Sequence, residues 1–371
     1  MQTTHNTQPL FVLGYPGDVG GASTELWHTL RLWRRYGLPV HLVHTWGDPP
    51  PEWRERCAAI GCATHVVNSP TRAAFSAIPG FAGGRVVSFC NEHFLNSVDL
   101  LRALRCRLIW VPCMNWLFGG ERRLYPVHGP FDAYVCQSLH QLETLTPQLA
   151  EWNVPAERIH RVRGWIDCDE FPYRPRPHAA GEPLVVGRVS RPATDKFSTN
   201  SWAIYRRVNY RPLQVRVMGW QPVLANAIGR PPEFVETLPP AAEPIPWFLA
   251  SLHCYCQING TATENWPRAG LEAMAARVPL VVEARGGWTE MIDHGRSGYL
   301  CDSDEELAHW MAHLAHDEDA RLAIAEAAYR RLVDELAAAE PIWAAWRRVF
   351  ASLDRHPKSE LRTPKAEAIA R

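Results

Sequence analysis

Short apolar runs alternate along this chain with longer amphipathic segments, and this alternation limits the folds that the chain can adopt. The apolar runs have the length of buried strands, and the amphipathic segments have the length of helices that cover a sheet. This order is typical of parallel α/β layers. In the first half of the chain, strands are predicted at residues 10–14, 40–43, 85–89, 107–111 and 133–136, and helices at 23–36, 97–105 and 138–149.

A proline-rich stretch divides the chain into two parts. Residues 171–177 contain three prolines after a turn at 163–167, and proline ends both helices and central strands. A second series of strands and helices begins at residues 184–187. We therefore predict an α/β fold with two Rossmann-like domains, residues 1–170 and 180–340. A chain of 371 residues is long enough for each domain to bury a core of its own.

The last predicted helix, residues 341–356, is apolar along one face. Its apolar side chains recur at helical spacing. They are Ile342, Trp343, Trp346, Val349, Phe350 and Leu353. From Asp354 onward the chain is charged and contains prolines, so we expect this end to fray.

Composition excludes several classes of partner. Lys plus Arg and Asp plus Glu both total 39, so no net charge favours nucleic acid or an anionic membrane, although a peripheral membrane contact stays open. The ten cysteines lack a C-x-x-C pair and are expected to be reduced core residues. No signal peptide is evident, and no apolar run approaches the roughly 20 residues that span a bilayer. We expect a cytoplasmic protein.

The most informative motif lies between Glu264 and Glu272, two carboxylates eight positions apart. Residues 271–276 are helix formers, which puts Glu264 in a loop and Glu272 in the first turns of a helix. A helix N-terminus can bind an anionic phosphate, and carboxylates can accept hydrogen bonds from sugar or ribose hydroxyls. The backbone N–H groups expected to hold the phosphate belong to Pro267, Arg268, Ala269 and Gly270. The spacing alone also fits an ordinary amphipathic helix.

Further motifs follow this pair in a fixed order. They read Leu-Glu-Ala-Met-Ala at 271–275, Val-Pro-Leu-Val-Val at 278–282, Gly-Gly-x-x-Glu-Met-Ile at 286–292 and Gly-x-x-Gly-Tyr-Leu at 295–300. The whole block resembles the C-terminal signature of retaining nucleotide-sugar glycosyltransferases of the GT-B fold, family 4 type. The resemblance implies a retaining enzyme, with a hexose as the expected sugar. Glu264 would lie by the transferred sugar and Glu272 would bind the ribose.

The resemblance also implies an architecture. The two domains of a GT-B protein face each other across a cleft, with the donor bound by the second domain and the acceptor by the first. The helix at residues 341–356 would return to pack on the first domain. The loop at residues 118–123 is a candidate acceptor loop by its position.

The turn after the first strand is rich in glycine. Gly20 and Gly21 would let backbone N–H groups approach a phosphate or sugar closely, and Ser23 or Thr24 could cap the following helix. The turn is similar to the Gly-Gly loop of the family. A purely steric role of these glycines is the alternative.

Two further turns are similar to family motifs near the donor. Gly219 corresponds to a glycine turn beside the nucleotide base and ribose, and Gly287 belongs to a Gly-Gly pair that passes near the donor. Only one glycine remains in the first of these motifs. The identity of the base does not follow from it.

Two cations follow the first strand of the second domain. A departing diphosphate gains negative charge, and a cation held nearby stabilises that charge. The family places an arginine and then a lysine here, and Arg188 and Lys196 fit, with two more residues between them than is usual. Lysine is rare in this chain, which favours a specific role for Lys196. Arg191 could share or take this role, and a solvated loop cation is the alternative.

The first domain departs from the family pattern. Many relatives carry a histidine at the end of a first-domain strand, facing the transferred sugar, whereas residues 110–116 contain none. Asn115 could instead donate a hydrogen bond to a sugar hydroxyl. Asn91 and Glu92, at the end of the preceding strand, are further acceptor or sugar candidates. The alternative is a structural cap beside a surface histidine, His93.

These observations predict transfer of a sugar from a nucleotide diphosphate sugar to an acceptor hydroxyl. Arg188, Lys196 and Glu264 are the predicted catalytic residues. No cofactor, bound metal or nucleic acid partner is expected. Two alternatives stay open. One is a nucleotide-sugar-binding protein that has lost turnover, and the other is a nucleotide-sugar epimerase of the same fold, which would need paired acid and base groups.

Overall fold

The computed structural model describes residues 8–355 as two parallel β-sheets covered by helices. The first sheet contains β1 (Leu10–Leu13), β2 (Val40–His44), β3 (Ala63–Val66), β4 (Arg85–Phe89), β5 (Arg107–Val111), β6 (Ala133–Cys136) and β7 (Ile159–Arg161). The second contains β8 (Leu184–Val189), β9 (Leu213–Met218), β10 (Val235–Leu238), β11 (Cys254–Gln257), β12 (Leu280–Glu283) and β13 (Tyr299–Cys301). The predicted α/β fold with two parallel sheets is confirmed.

Fifteen α-helices connect and cover these strands in the described part of the chain. They are α1 (Gly21–Arg35), α2 (Pro51–Ala59), α3 (Arg72–Ser76), α4 (Glu92–Leu95), α5 (Val98–Ala103), α6 (Gly119–His128), α7 (Leu139–Ala150), α8 (Ser201–Arg207), α9 (Ala225–Ile228), α10 (Ile245–Ala250), α11 (Arg268–Ala275), α12 (Trp288–Met291), α13 (Asp304–His316), α14 (Glu318–Arg331) and α15 (Ala339–Arg355). A π-helical turn, Leu332–Leu336, continues α14. Within residues 8–355, no helix is both long and apolar enough to cross a membrane.

The strand orders explain where a ligand site can form. The first sheet runs β3-β2-β1-β4-β5-β6-β7 and the second β10-β9-β8-β11-β12-β13, with all pairs parallel. In each sheet the order reverses direction beside the first strand of the domain, β1 or β8. Parallel sheets of this kind bind ligands beyond the carboxyl ends of the strands at that reversal. The loops after β1 and β8 are therefore the expected sides of a site.

The strands that the sequence predicts are those with both faces buried. β1, for example, consists entirely of buried residues and pairs with β2 and β4. The sequence did not reveal β3 or β7. Both lie at sheet edges, are four and three residues long, and contain no fully buried side chain. Without a buried apolar run, an edge strand gives little signal.

The final helix, α15, packs on the first domain through α1 and β6. Trp346 of α15 meets Trp33 of α1 edge to face, with ring centroids 4.9 Å apart, and Trp343 stacks on Tyr36 at 5.2 Å. The chain therefore crosses between the domains twice. Residue 356 and most of the tail expected to fray lie outside the described residues, as do residues 1–7.

Trp346→Ala should destabilise the protein strongly, because this side chain is 3% exposed and fills the contact between α15 and α1. We expect a loss of about 3–5 kcal/mol in the free energy of unfolding, measured by urea denaturation. The matched control is Trp116→Ala, since Trp116 is 44% exposed and should change stability by no more than about 0.5 kcal/mol. Equal losses for the two variants would contradict the packing of α15 described above.

Candidate active site

A cleft with a cavity volume of about 410 Å³ lies between the two domains at the carboxyl ends of their strands. The first domain contributes the glycine turn after β1 and the loops after β4 and β5. The second domain contributes the loops after β8, β9, β10 and β11 and the start of α11. Of the predicted residues, those that line the cleft are Gly20, Gly21, Lys196, Gly219, Glu264, Pro267, Arg268, Ala269 and Glu272.

Glu264 is held through one of its two carboxylate oxygens. Its Oε1 accepts hydrogen bonds from Lys196 Nζ at 2.8 Å, Gln257 Nε2 at 2.6 Å and Asn259 Nδ2 at 3.1 Å. No donor among residues 8–355 reaches Oε2. The carboxylate is thus fixed in orientation, and Oε2 is available to a ligand in the cleft.

Gln257 and Asn259 were missed in the sequence. Tyr255, Gln257 and Asn259 occupy alternate positions on and after β11, so their side chains share one face of the strand. The buried Tyr255 hydroxyl donates to Gln257 Oε1 at 2.6 Å, and Gln257 Nε2 also donates to Asn259 Oδ1 at 3.0 Å. A polar residue at the carboxyl end of an otherwise buried strand was the available signal.

Arg188 does not face the cleft, in contrast to the sequence prediction. It is 1% exposed, donates to the carbonyl oxygens of Ile258 and Lys196 at 2.6 Å each, and lies over the Phe197 ring. These contacts shape the backbone around Lys196. In this arrangement Arg188 is not placed to contact a diphosphate in the cleft. Arg191 lines the cleft instead, with an exposed side chain that pairs with Asp195 at 3.1 Å.

Helix α11 presents its N-terminus to the cleft. Pro267 precedes the helix and has no backbone N–H, so it cannot donate to a phosphate as predicted. Its carbonyl accepts the N–H groups of Gly270 and Leu271. Arg268 and Ala269, the first two residues of α11, have N–H groups without an intrahelical partner. The N–H groups at this helix end that can bind an anion are therefore those of Arg268 and Ala269.

Two predicted donor glycines serve packing instead. A Cβ on Gly270 would lie 2.4 Å from the Trp288 ring, and one on Gly287 would lie 1.7 Å from the Asn265 carbonyl oxygen. Neither glycine lines the cleft. The Gly287 N–H donates to the Glu264 carbonyl oxygen at 2.8 Å. The Gly-Gly turn therefore supports the loop of Glu264 from behind.

The remaining glycines stand at the cleft. Gly20 is the residue before α1, with φ of +98°, and Gly219 has φ of +99°. Both conformations favour glycine. The helix begins at Gly21, earlier than predicted, so neither Ser23 nor Thr24 caps it. The Thr24 hydroxyl donates to the Gly21 carbonyl within the first turn.

Glu272 is a buried carboxyl without a protein partner. It is 5% exposed and lines the cleft, and no group in residues 8–355 donates a hydrogen bond to it. Burial raises its pKa, and the charge of Arg268 partly offsets this. A buried carboxyl in a cleft with a raised pKa is typical of a functional site.

Arg268 crosses the cleft and joins the two domains. Its Nη1 donates to Glu25 Oε2 at 3.0 Å and to the Trp165 carbonyl at 2.9 Å. Burial raises the pKa of Glu25, although Arg268 acts in the opposite direction. Gly164 leaves space for this carboxylate, since a Cβ there would lie 2.3 Å from Glu25 Oε2. The side chain of Arg268 is thus committed to an interdomain ion pair.

None of the three acceptor candidates lines the cleft. Asn91 caps α4, because its Oδ1 accepts the N–H of His93 at 2.8 Å, and Glu92 lies exposed in the first turn of that helix. Asn115 Nδ2 donates to the Thr263 carbonyl of the second domain at 3.2 Å. The structural cap, given above as the alternative, is the role that the structure shows for Asn91.

Other residues line the cleft on its first-domain side. They are Asp18, Val19, Ala22, Thr24, Glu25, Cys90, Cys113, Met114, Phe118 and Gln137. Of the candidate acceptor loop at 118–123, only Phe118 reaches the cleft. Across residues 8–355, no group of three or more histidine, cysteine, aspartate or glutamate side chains is arranged to hold a metal ion.

The segment that carries Glu264 and Glu272 also resembles a known family. Residues 240–331 match the family described as "Glycosyl transferases group 1". This segment is therefore similar to the group 1 glycosyltransferases. No curated protein matches the chain in sequence.

Solved structures show that this chain has the GT-B fold. Anabaena HepE in complex with UDP and glucose matches with a TM-score of 0.70 at 16% identity, over 93% of this chain and 100% of HepE. The pneumococcal O-GlcNAc transferase GtfA in complex with UDP and GlcNAc matches at 0.70 and 10%, over 95% and 100%. Sucrose-phosphate synthase from Thermosynechococcus elongatus matches at 0.65 and 16%, over 93% and 100%. The predicted fold is confirmed.

Gly287→Ala should destabilise the protein, because the new Cβ would overlap the backbone of Asn265. We expect a cost of at least about 1–3 kcal/mol in the free energy of unfolding, measured by urea denaturation. Gly17→Ala is the control, since a Cβ at Gly17 would meet only the Ser23 hydroxyl at 3.8 Å. If both variants unfold at the same urea concentration as the wild type, the supporting role of the Gly-Gly turn is wrong.

Proposed function

We propose that this protein transfers a sugar from a nucleotide diphosphate sugar to an acceptor hydroxyl, with retention of the anomeric configuration. The observation that carries the proposal is the pair of glutamates on the second-domain side of the cleft. Glu264 Oε2 and the Glu272 carboxyl both lack a protein donor and flank the N-terminus of α11. Paired acceptors beside an anion-binding helix end suit a phosphorylated ligand that is rich in hydroxyls.

The donor would lie along the second domain. Its ribose would donate to Glu272, and its diphosphate would accept from the N–H groups of Arg268 and Ala269. The base would enter the apolar part of the cleft beside Gly219 and Ile245. A UDP sugar is the first candidate, since HepE and GtfA were each solved with UDP and a sugar.

Catalysis would depend on stabilising the departing diphosphate. Lys196 lies next to Glu264 and is a partly buried cation of the cleft, while Arg191 stands at its exposed side and replaces the predicted Arg188. These charges and the start of α11 would offset the negative charge that develops. This proposal requires no metal ion or cofactor.

The anomeric configuration would be retained if the acceptor oxygen attacked the anomeric carbon from the face that the diphosphate leaves. The bond from the anomeric carbon to the diphosphate oxygen breaks, and a bond from that carbon to the acceptor oxygen forms. The acceptor proton passes to the departing diphosphate. Glu264 Oε2 would orient a hydroxyl of the donor sugar during this step. The proposed acceptor is a hydroxyl compound that enters past Phe118, and the cytoplasm is the proposed location.

A donor-binding protein without turnover is the second candidate. It is favoured by the first-domain side of the cleft, where none of the predicted acceptor residues lies and no histidine is found among the lining residues. The two functions differ in one measurement. The enzyme releases free nucleotide diphosphate from its donor, slowly in water and faster with a suitable hydroxyl compound. The binding protein releases none.

The first experiment is a thermal-shift panel of UDP, GDP, ADP and dTDP sugars, each with and without Mg²⁺. A donor at 100 times its Kd adds about 2.7 kcal/mol of stability, which raises the Tm by several degrees. We expect a shift with one nucleotide class and no dependence on Mg²⁺. The absence of a shift with every donor would contradict both the enzyme and the binding protein.

Glu272→Gln should weaken donor binding about 10- to 150-fold, the range for losing a hydrogen bond to a charged group. Burial raises the pKa of Glu272, so wild-type affinity should be complete above that raised pKa and should fall as the pH is lowered through it. The glutamine variant should lack this pH dependence. Calorimetric titration with the donor measures both effects. Glu305→Gln, at an exposed surface pair, is the control.

A further inference from the structure

The carboxylate of Glu290 reaches from the second domain to a helix of the first. Its Oε2 accepts the backbone N–H of Leu139 at 2.9 Å, and its Oε1 accepts that of His140 at 2.8 Å. These are the first two residues of α7, whose N–H groups have no partner within the helix. A negative charge at this position also complements the helix dipole.

Positive charge around this contact strengthens it. Arg161, at the end of β7, donates to Glu290 Oε2 at 3.0 Å, and the Glu290 side chain is only 13% exposed. Arg163 lies within electrostatic range of Glu290. On the second-domain side, Arg331 donates to the backbone carbonyls of Glu290 and Met291. If the domains separated, the first domain would expose Arg161 and the N–H groups of Leu139 and His140.

A second contact completes the same helix end. Ser138, the residue before α7, accepts the N–H of Gln141 through its hydroxyl, and that hydroxyl donates to Asn265 Oδ1 at 2.6 Å. Asn265 Nδ2 donates to Gln137 Oε1 at 2.9 Å. Asn265 is the residue after Glu264. The two domains therefore meet at the start of α7 on one side and at the Glu264 loop on the other.

Glu290 is connected to the Glu264 loop through a short turn. It lies in α12, the short helix that follows the Gly286 and Gly287 turn, and the Gly287 N–H bonds to the Glu264 carbonyl oxygen. The position of α12 against α7 thus fixes how the Glu264 loop faces the first domain. We propose that Glu290 is a positioning residue, which holds the domains closed so that the donor site faces the acceptor side of the cleft.

The effect of Glu290 on catalysis depends on the proposed function, whereas its effect on domain closure does not. A group that acts through closure should leave donor affinity almost unchanged, because the donor contacts lie on the second domain. It should lower kcat instead, since the reacting groups meet only in the closed arrangement. Simple loss of packing would lower the Tm, but it would not lower kcat while leaving donor affinity unchanged.

The test is Glu290→Gln in the full chain, with Glu305→Gln as the control. Glu305 forms an exposed pair with Arg207 within the second domain, far from the cleft lining. Small-angle scattering with and without UDP measures closure. We expect a larger radius of gyration for Glu290→Gln than for the wild type and the control. Equal radii would overturn the proposal, whether or not the protein transfers sugar.

The catalytic arm uses the donor class found by the thermal-shift panel. We expect kcat to fall about tenfold or more, as for a lost charge-assisted hydrogen bond, with the donor KM within about twofold of the wild type. Glu290→Asp keeps the charge and should recover part of the rate. An unchanged kcat would overturn the positioning role. If Glu290→Gln does not fold, Arg161→Gln replaces it, with a smaller change in the same direction expected, and no change would overturn the proposal.

Discussion

The loop from Asn259 to Pro267 is partly buried and has no regular secondary structure, so its polar groups must find partners elsewhere. It finds them in both domains. The Ala262 N–H bonds to Asp195, the Thr263 carbonyl accepts from Asn115, and the Asn265 side chain joins Gln137 and Ser138. The loop therefore contacts the first domain as well as its own domain. One segment thus lines the cleft and also contacts the opposite domain.

The same requirement accounts for the positions of the two cations. Arg188 satisfies the carbonyl oxygens of Ile258 and Lys196, and in doing so it fixes the backbone from which the Lys196 side chain extends. Lys196 is then neutralised by Glu264 at 2.8 Å. An incoming diphosphate would compete with Glu264 for this ammonium group. Lys196 could then turn from Glu264 to the diphosphate of the proposed sugar donor. Glu264 Oε1 would still accept hydrogen bonds from two neutral amides, those of Gln257 and Asn259.

The sequence predicts strands and helices correctly where the pattern that indicates them lies within one short segment. Buried strands such as β1 and β5 are continuous apolar runs. The family resemblance of the whole block around Glu264 and Glu272 predicted a ligand beside both, and both line the cleft. Sequence-based prediction failed where a side chain is directed by a partner far along the chain. Asn115 is used by Thr263, 148 residues away, and the Arg268 side chain is used by Glu25, 243 residues away. Gly287 is likewise required by the Asn265 backbone. The pairings of Asn115 and Arg268 arise only when the two domains meet, whereas Gly287 and Asn265 both belong to the second domain.

The cleft also contains groups whose burial is not compensated within the protein. Burial raises the pKa values of Glu25 and Glu272, and the charge of Arg268 partly offsets both shifts. The Nε and Nη2 of Arg268 are buried and have no hydrogen-bond partner. Buried polar groups without partners destabilise a fold by about 1–3 kcal/mol each. The Glu272 carboxyl lines the same cleft and has no hydrogen-bond donor among the described residues, so a ligand with hydroxyl groups would supply the hydrogen bonds that the protein does not.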